Sequence, residues 1–253
     1  MFLPESIAVV GAGYVGVVTA ACFAELGHSV ALHDLEEWKL DGLRNGKAPF
    51  FEPGLDALLA RGVRSRRLSF HSRLPEALAE ADIVFIAVGT PSGPDGSCDT
   101  GAVETTLLRA SEHLRAGGIL AIKSTVAVGT AERLSRVLAW GDNIQALPIV
   151  SNPEFLSEGS AIEDFMNPDR IVLGAGDHEA ARRVARLYTS LDSPIVITDT
   201  SSAEMIKYVA NAYLAMRVSF INEVAEMCEA MGADVLDVAH GAGLDHRIGR
   251  DFL

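Results

Sequence analysis

The sequence predicts an α/β fold: a doubly wound parallel sheet followed by a long helix that begins an all-α domain. Three observations carry that expectation. Short apolar runs alternate with amphipathic segments through residues 1–198, a glycine triplet marks the first strand–helix junction, and a stretch free of Gly and Pro follows residue 198.

The strands come first. "SIAVV", "SVALHD", "RLSFH", "DIVFIAV", "GILAIKS", "IQALPIV" and "RIVLGA" are short apolar runs of the kind buried on both faces of a sheet. Residues 13–26, 101–114, 129–140 and 179–191 have helical patterning with Gly or Pro punctuation. Strand–helix alternation of this kind places helices on both faces of a parallel sheet. The last helix is different. From 198 to 231 no Gly or Pro occurs, Ser201 and Glu204 have capping-box spacing, and Gly232 is a natural stop. About 30 residues at 1.5 Å each make a helix of about 45 Å. Such a helix serves as a spine or an oligomer contact, so the domain division is set at 1–198 and 199–253.

Composition narrows the partners. A formal net charge of −13 argues against nucleic acid, which needs a basic face. Three cysteines with no C-x-x-C pair read as free thiols in a reducing, cytoplasmic setting. The seven histidines offer no zinc spacing, so no metal is expected. Residues 7–24 carry no charge for 18 positions, close to membrane-spanning length. The preceding "MFLPES" has no Lys or Arg, and three glycines interrupt the run, so no membrane span or signal peptide is read there.

Those glycines are Gly11, Gly13 and Gly16, a G-x-G-x-x-G at a strand–helix junction. The first permits a tight turn, the second lets backbone approach a pyrophosphate, and the third lets helix and strand pack closely. The helix N-terminus then offers N–H groups and partial positive charge to phosphate. Asp34, 18 residues beyond Gly16, ends the second strand, where a carboxylate accepts hydrogen bonds from ribose hydroxyls and repels a 2′-phosphate. This Rossmann-like pattern favours NAD over NADP, with FAD the main competitor. Lys39 could reach the adenosine side.

Further polar loops fall where strands end: "AVGTPSGPDGSCDTG", "KSTVAVGT" and "SNPEFLSEGS". Ligands of open α/β sheets bind outside the carboxyl ends of the strands, so these loops are candidates to line one crevice. On the long helix Lys207 and Asn211 are four apart and share a face. They could hold a substrate oxygen; equally, Lys207 could snorkel to solvent while Asn211 bonds backbone.

Together the blocks "GAGYVG", "HDLEEWKLDGLRNGKAPFFEPGL", "VGTPSGPDGSCD", "KSTVAVGT", "SNPEFLSEGSAIEDFMNPDRIVLG", "AEMIKYVANAYLAMRVSFINEVAE" and "RIG" resemble the UDP-glucose/GDP-mannose 6-dehydrogenases, with wording nearest the UDP-glucose enzymes. The resemblance implies oxidation of UDP-glucose to UDP-glucuronate with two NAD, a step of polysaccharide precursor supply. It assigns NAD to Gly11, Gly13, Tyr14, Val15, Gly16, Asp34, Lys39, Thr90, Thr125 and Glu158. It makes Glu154 the base that activates water, with Thr125 holding that water. Phe155 and Leu156 contact substrate, and Lys207 and Asn211 stabilise oxyanions at C6. Arg247 reaches the sugar nucleotide of a neighbouring subunit, so a homodimer through the long helix is implied. The chemistry accounts for the set: a thiol adds to the aldehyde, a second hydride leaves, and water hydrolyses the thioester.

The family's nucleophilic Cys follows an "RIG…FL" stretch, in a Gly-Gly-x-Cys segment. This chain stops at Leu253. The expectation is therefore a chain without the nucleophile and without the C-terminal sugar-nucleotide domain, inactive alone. Cys22 and Cys228 lie within predicted helices; Cys98 is the one near the crevice but has nothing beside it to lower its pKa. Two other readings stay open: a β-hydroxyacid-type NAD dehydrogenase, which needs no cysteine, and a non-catalytic NAD-binding module.

Overall fold

The computed structural model describes residues 4–140 and 147–253. The chain forms two compact units, Met1–Met205 and Ile206–Leu253.

In the first unit the described residues build one eight-stranded sheet. Its strands are β1 (Ser6–Val10), β2 (Ser29–His33), β3 (Leu68–His71), β4 (Ile83–Ile86), β5 (Ile119–Ile122), β6 (Ile149–Ser151), β7 (Ile171–Ala175) and β8 (Ile195–Thr198). The order is β3-β2-β1-β4-β5-β6-β7-β8. The chain walks outward from β1 to β3 and then returns to β4, so the order reverses between β1 and β4. Side chains alternate in register across the sheet. Ile7, Val9, Ile83, Phe85, Ile119 and Ala121 face one core. Ala8, Val10, Val84, Ile86, Leu120 and Ile122 face the other. Helices α1 (Tyr14–Glu25), α2 (Glu37–Arg44), α3 (Leu55–Arg64), α7 (Ala161–Met166) and α8 (His178–Ala185) cover the first face. Helices α4 (Leu74–Leu78), α5 (Gly101–Ser111) and α6 (Thr130–Trp140) cover the second.

The structure corrects the sequence reading in four places. The sheet is not wholly parallel: β6 and β7 pair antiparallel through Val150–Ala175 and Ser151–Gly174. Side-chain alternation is the same in both directions, so apolar pattern alone carries no strand polarity. β8 was not anticipated. It is a four-residue edge strand, half-exposed, and lacks the fully buried signature of its neighbours. The helix expected over 179–191 ends at Ala185 and passes into a 3₁₀ turn at Arg186–Tyr188. Of the "IQALPIV" run, residues 144–146 lie outside the described residues, and β6 begins at Ile149.

The fourth correction concerns the long helix, α9 (Thr200–Met231, 32 residues). Ser201 and Glu204 do not form its capping box. Asp199 takes that role, its Oδ1 accepting the Ser202 N–H at 2.8 Å and its Oδ2 the Ser202 hydroxyl at 2.6 Å. The buried Glu204 carboxylate instead accepts the N–H groups of Gly129 (2.6 Å) and Ala131 (2.9 Å) at the start of α6. Burial pushes this carboxyl above its usual range.

Glu52 makes the matching tie on the other side of the sheet. It is buried, and its Oε1 accepts the Ala161 N–H at 2.9 Å. Its Oε2 accepts the Gly159 N–H at 2.8 Å and the Tyr14 hydroxyl at 2.6 Å. The "FEPGL" segment is thereby fastened both to the first residue of α1 and to the loop that enters α7. Burial alone would raise this carboxyl; the hydrogen bonds from Tyr14, Gly159 and Ala161 outweigh it and hold the pKa below the ordinary value.

The second unit contains the rest of α9 and α10 (Val235–Gly243). Asp234 caps α10, accepting the Leu236 N–H at 2.8 Å. Arg217 donates to the Gly249 carbonyl at 3.2 Å, tying the segment after α10 back to α9. Val209, Tyr213, Met216 and Phe220 form an exposed apolar stripe at helical spacing along α9.

Two outcomes test these ties. A Cβ at position 16 would sit 1.8 Å from the Gly11 carbonyl oxygen, whereas one at position 13 meets nothing within 4 Å. Gly16→Ala should therefore cost about 3 kcal/mol in denaturant unfolding, and Gly13→Ala no more than about 0.5 kcal/mol. Equal costs would remove the close packing as the reason for the third glycine. Glu52→Gln should cost about 2 kcal/mol at neutral pH. The folded pKa of Glu52 is depressed, so its contribution is complete above the unfolded value of about 4.3 and fades as pH falls through the folded one. The gap between wild type and Glu52→Gln should close in acid; a gap independent of pH would refute the charged tie.

Candidate functional site

The glycine turn lies at the point where strand order reverses. Gly11 donates its N–H to the His33 carbonyl at 2.8 Å and has φ +108°. A Cβ there would stand 2.5 Å from the Ala87 carbonyl oxygen, just past β4. With that contact and a positive φ, only glycine fits there. Gly13 opens α1 in extended conformation, and no described side chain caps that helix. Its first-turn N–H groups and the open space over Gly13 suit a pyrophosphate. Tyr14 and Val15 are half-buried, Tyr14 held by Glu52 and its hydroxyl also 3.2 Å from the Ser157 carbonyl.

Asp34 follows β2 with both oxygens engaged by backbone. Oδ2 accepts the Ala12 N–H at 2.6 Å and Oδ1 the Glu36 N–H at 2.9 Å. The carboxylate is thus aimed back at the glycine turn. Beside it is a cleft of about 420 Å³, lined by Gly11, Asp34, Leu35 and Lys39 on one side and by α5 on the other. Lys39 is paired with Glu36 at 2.9 Å. His33 also lines the cleft, and burial lowers its pKa, keeping the imidazole neutral at pH 7. A turn, an uncapped helix start and a carboxylate at the strand end beside an open cleft fit the adenosine and pyrophosphate parts of NAD.

The remaining first-unit candidates lie past other strands of the same sheet. Thr90 follows β4, half-buried. Its loop is an ordered turn closed by an antiparallel bridge between Ser92 and Cys98. The Cys98 thiol lies 3.6 Å from the Thr125 carbonyl, which brings the "SCD" and "KSTV" loops together. Glu154, Phe155 and Leu156 follow β6 and line a small cavity of about 40 Å³ with Arg170. Glu154 accepts the Leu156 N–H at 2.6 Å, and the Arg170 guanidinium stacks 3.6 Å from the Phe155 ring centroid. Glu158 is exposed. In the second unit Lys207 is buried, Asn211 is exposed, and the exposed Arg247 is paired with Asp245 at 2.7 Å.

Sequence reasoning missed several supports. Lys123 is buried in the same cavity wall, its Nζ 3.4 Å from Asn152 Oδ1. Tyr188 donates to that oxygen at 2.6 Å, and Asn152 Nδ2 donates to the Val172 carbonyl at 3.0 Å. This network fixes the residue two positions before Glu154. Its signal was weak: a lone Lys at a strand end and a Tyr 36 residues away from its partner. Glu52, flanked by Phe and Pro in "FEPGL", was legible only as an oddly placed carboxylate. Arg109 gave no signal, because its approach to the cleft depends on how α5 packs.

Comparison with known proteins agrees with this geometry. Residues 5–192 match the UDP-glucose/GDP-mannose dehydrogenase family, NAD binding domain. Residues 201–253 match the central domain of the same family. The chain is 45% identical to UDP-glucose 6-dehydrogenase TuaD of Bacillus subtilis (strain 168), over 98% of this chain and 54% of that protein. It is 47% identical to a UDP-glucose 6-dehydrogenase of Rhizobium meliloti (strain 1021), over 98% and 58%. A UDP-glucose dehydrogenase structure from the hyperthermophilic archaeon Pyrobaculum islandicum superposes with a TM-score of 0.94 at 43% identity, covering 99% of this chain and 59% of that one. The chain thus spans a little over half the length of the curated relatives it matches. An NAD-binding domain with its glycine turn at the sheet's switch point, followed by a long-helix segment, places the chain in the UDP-glucose/GDP-mannose dehydrogenase family.

Proposed function

We propose that this chain is the cofactor-binding half of a UDP-glucose 6-dehydrogenase, an enzyme that oxidises the C6 alcohol of a nucleotide sugar to a carboxylate. The observation that carries the reading is the Gly11–Gly16 turn beside Asp34 at the switch point, together with identity to UDP-glucose 6-dehydrogenases over nearly the whole chain. NAD, when bound, accepts hydride from the sugar carbon. Gly11, Gly13, Tyr14, Val15 and Gly16 hold its pyrophosphate end and Asp34 its ribose, with Lys39, Thr90, Thr125 and Glu158 along its length.

Glu154 takes the proton of the hydrolytic water, with Thr125 holding that water and Phe155 and Leu156 against the sugar. Lys207 and Asn211 donate to the oxygen at C6, a role that suits a buried ammonium next to an amide on one helix face. Arg247 reaches the nucleotide sugar of a second copy, and the apolar stripe on α9 is the surface through which two copies meet. The nucleophile is none of this chain's three cysteines. Burial pushes the Cys22 thiol up to about 12, Cys228 is buried, and the Cys98 thiol faces a carbonyl rather than a base. Three free thiols also suit a reducing, cytoplasmic compartment.

Two measurements test the reading. Asp34→Ala should weaken NAD binding by about tenfold or more, as loss of a carboxylate on the ribose hydroxyls requires; unchanged affinity would take Asp34 out of the ribose site. The chain as given should bind NAD yet show no reduction of it with UDP-glucose. Steady turnover would overturn the assignment of the nucleophile outside these residues.

A further inference from the structure

We propose that Arg109 is an adenine-binding residue, its guanidinium packing flat against the purine ring of the dinucleotide. The inference rests on NAD occupying the cleft beside Asp34.

Helix α5 presents one face to that cleft. Ala102, Thr105, Thr106 and Arg109 line it, at the i, i+3, i+4, i+7 spacing of a single helical stripe. The adjacent stripe, Val103, Leu107 and Ala110, is wholly buried against the sheet, which fixes the rotation of α5 and so the side on which Arg109 emerges. Leu74 and Val88 supply apolar surface to the cleft.

The charges then single out Arg109. Asp34 is occupied by two backbone N–H groups and Glu36 by Lys39 and the Trp38 indole. Arg109 has no hydrogen-bond or ion-pair partner among the described residues, and it lies near enough to His33 to act on its charge. A planar cation over an apolar slot is complementary to a flat π-system, and guanidinium stacks on such rings where a lysine ammonium does not. The cleft opens past the ribose-facing Asp34, on the adenosine side, so the ring it receives is the base rather than the nicotinamide.

The test compares wild type, Arg109→Ala and Arg109→Lys by calorimetric titration with NAD, AMP and NADP. Arg109 is exposed on a helix, and circular dichroism checks that both variants fold. Arg109→Ala should weaken NAD and AMP alike by about tenfold, and Arg109→Lys should recover only a minor part. Unchanged AMP affinity in Arg109→Ala would overturn the assignment. So would full recovery by lysine, which would mean that charge alone matters, or a loss confined to NADP, which would put the guanidinium at the ribose 2′ position. If wild type failed to bind NAD, the cofactor reading itself would fall and this inference with it. If wild type binds NAD and Arg109→Ala binds it equally, only the role of Arg109 falls.

Discussion

The structure depends on one close approach: the backbone of the glycine turn pressed between β4 and the start of α1. A Cβ at Gly11 would meet the Ala87 carbonyl, and one at Gly16 would meet Gly11 itself. With neither present, α1 lies directly on the sheet, buried continuously from Gly16 to Ala24. That burial accounts for the uncharged run over residues 7–24. A helix with sheet on one side and α3 and α7 on others has no face for charge. No helix among the described residues is long and apolar enough to cross a membrane.

Loops that leave such a sheet need something to hold them, and here buried carboxylates do so. Glu52 meets the start of α7 and Glu204 the start of α6, each where helix N–H groups lack intrahelical partners. Their environments differ. Glu52 also receives a hydroxyl hydrogen bond and stays readily ionised, while burial dominates at Glu204 and raises its pKa. In linkage terms Glu52 favours folding toward neutral pH and Glu204 toward acid. Both ties fasten loops that carry proposed functional residues: Thr125 precedes the Glu204 contacts, and Glu154 and Glu158 precede the Glu52 contacts.

The proposed nucleotide end of the site lies within one unit, at strand ends and one helix face. Its geometry follows from rigid elements, as a cofactor that must be held in one orientation requires. The proposed catalytic groups are spread over both units, with Thr125 and Glu154 in the first and Lys207 and Asn211 in the second.

The sequence by itself determined the doubly wound class, seven of the eight strands, the length of α9 and the glycine turn at the first strand–helix junction. These are local or periodic properties: apolar runs, Gly placement and spacing along one chain segment. It did not determine the antiparallel β6–β7 pair, the edge strand β8, or the partners of Glu52, Glu204, Lys123 and Arg109. Each of those joins residues far apart in the chain, such as Glu52 with Ala161 and Glu204 with Ala131. Glu204 shows the limit best. Its spacing to Ser201 fits a local cap, yet burial against α6 leaves its carboxylate two backbone N–H groups to satisfy there, and the tertiary contact overrides the local one.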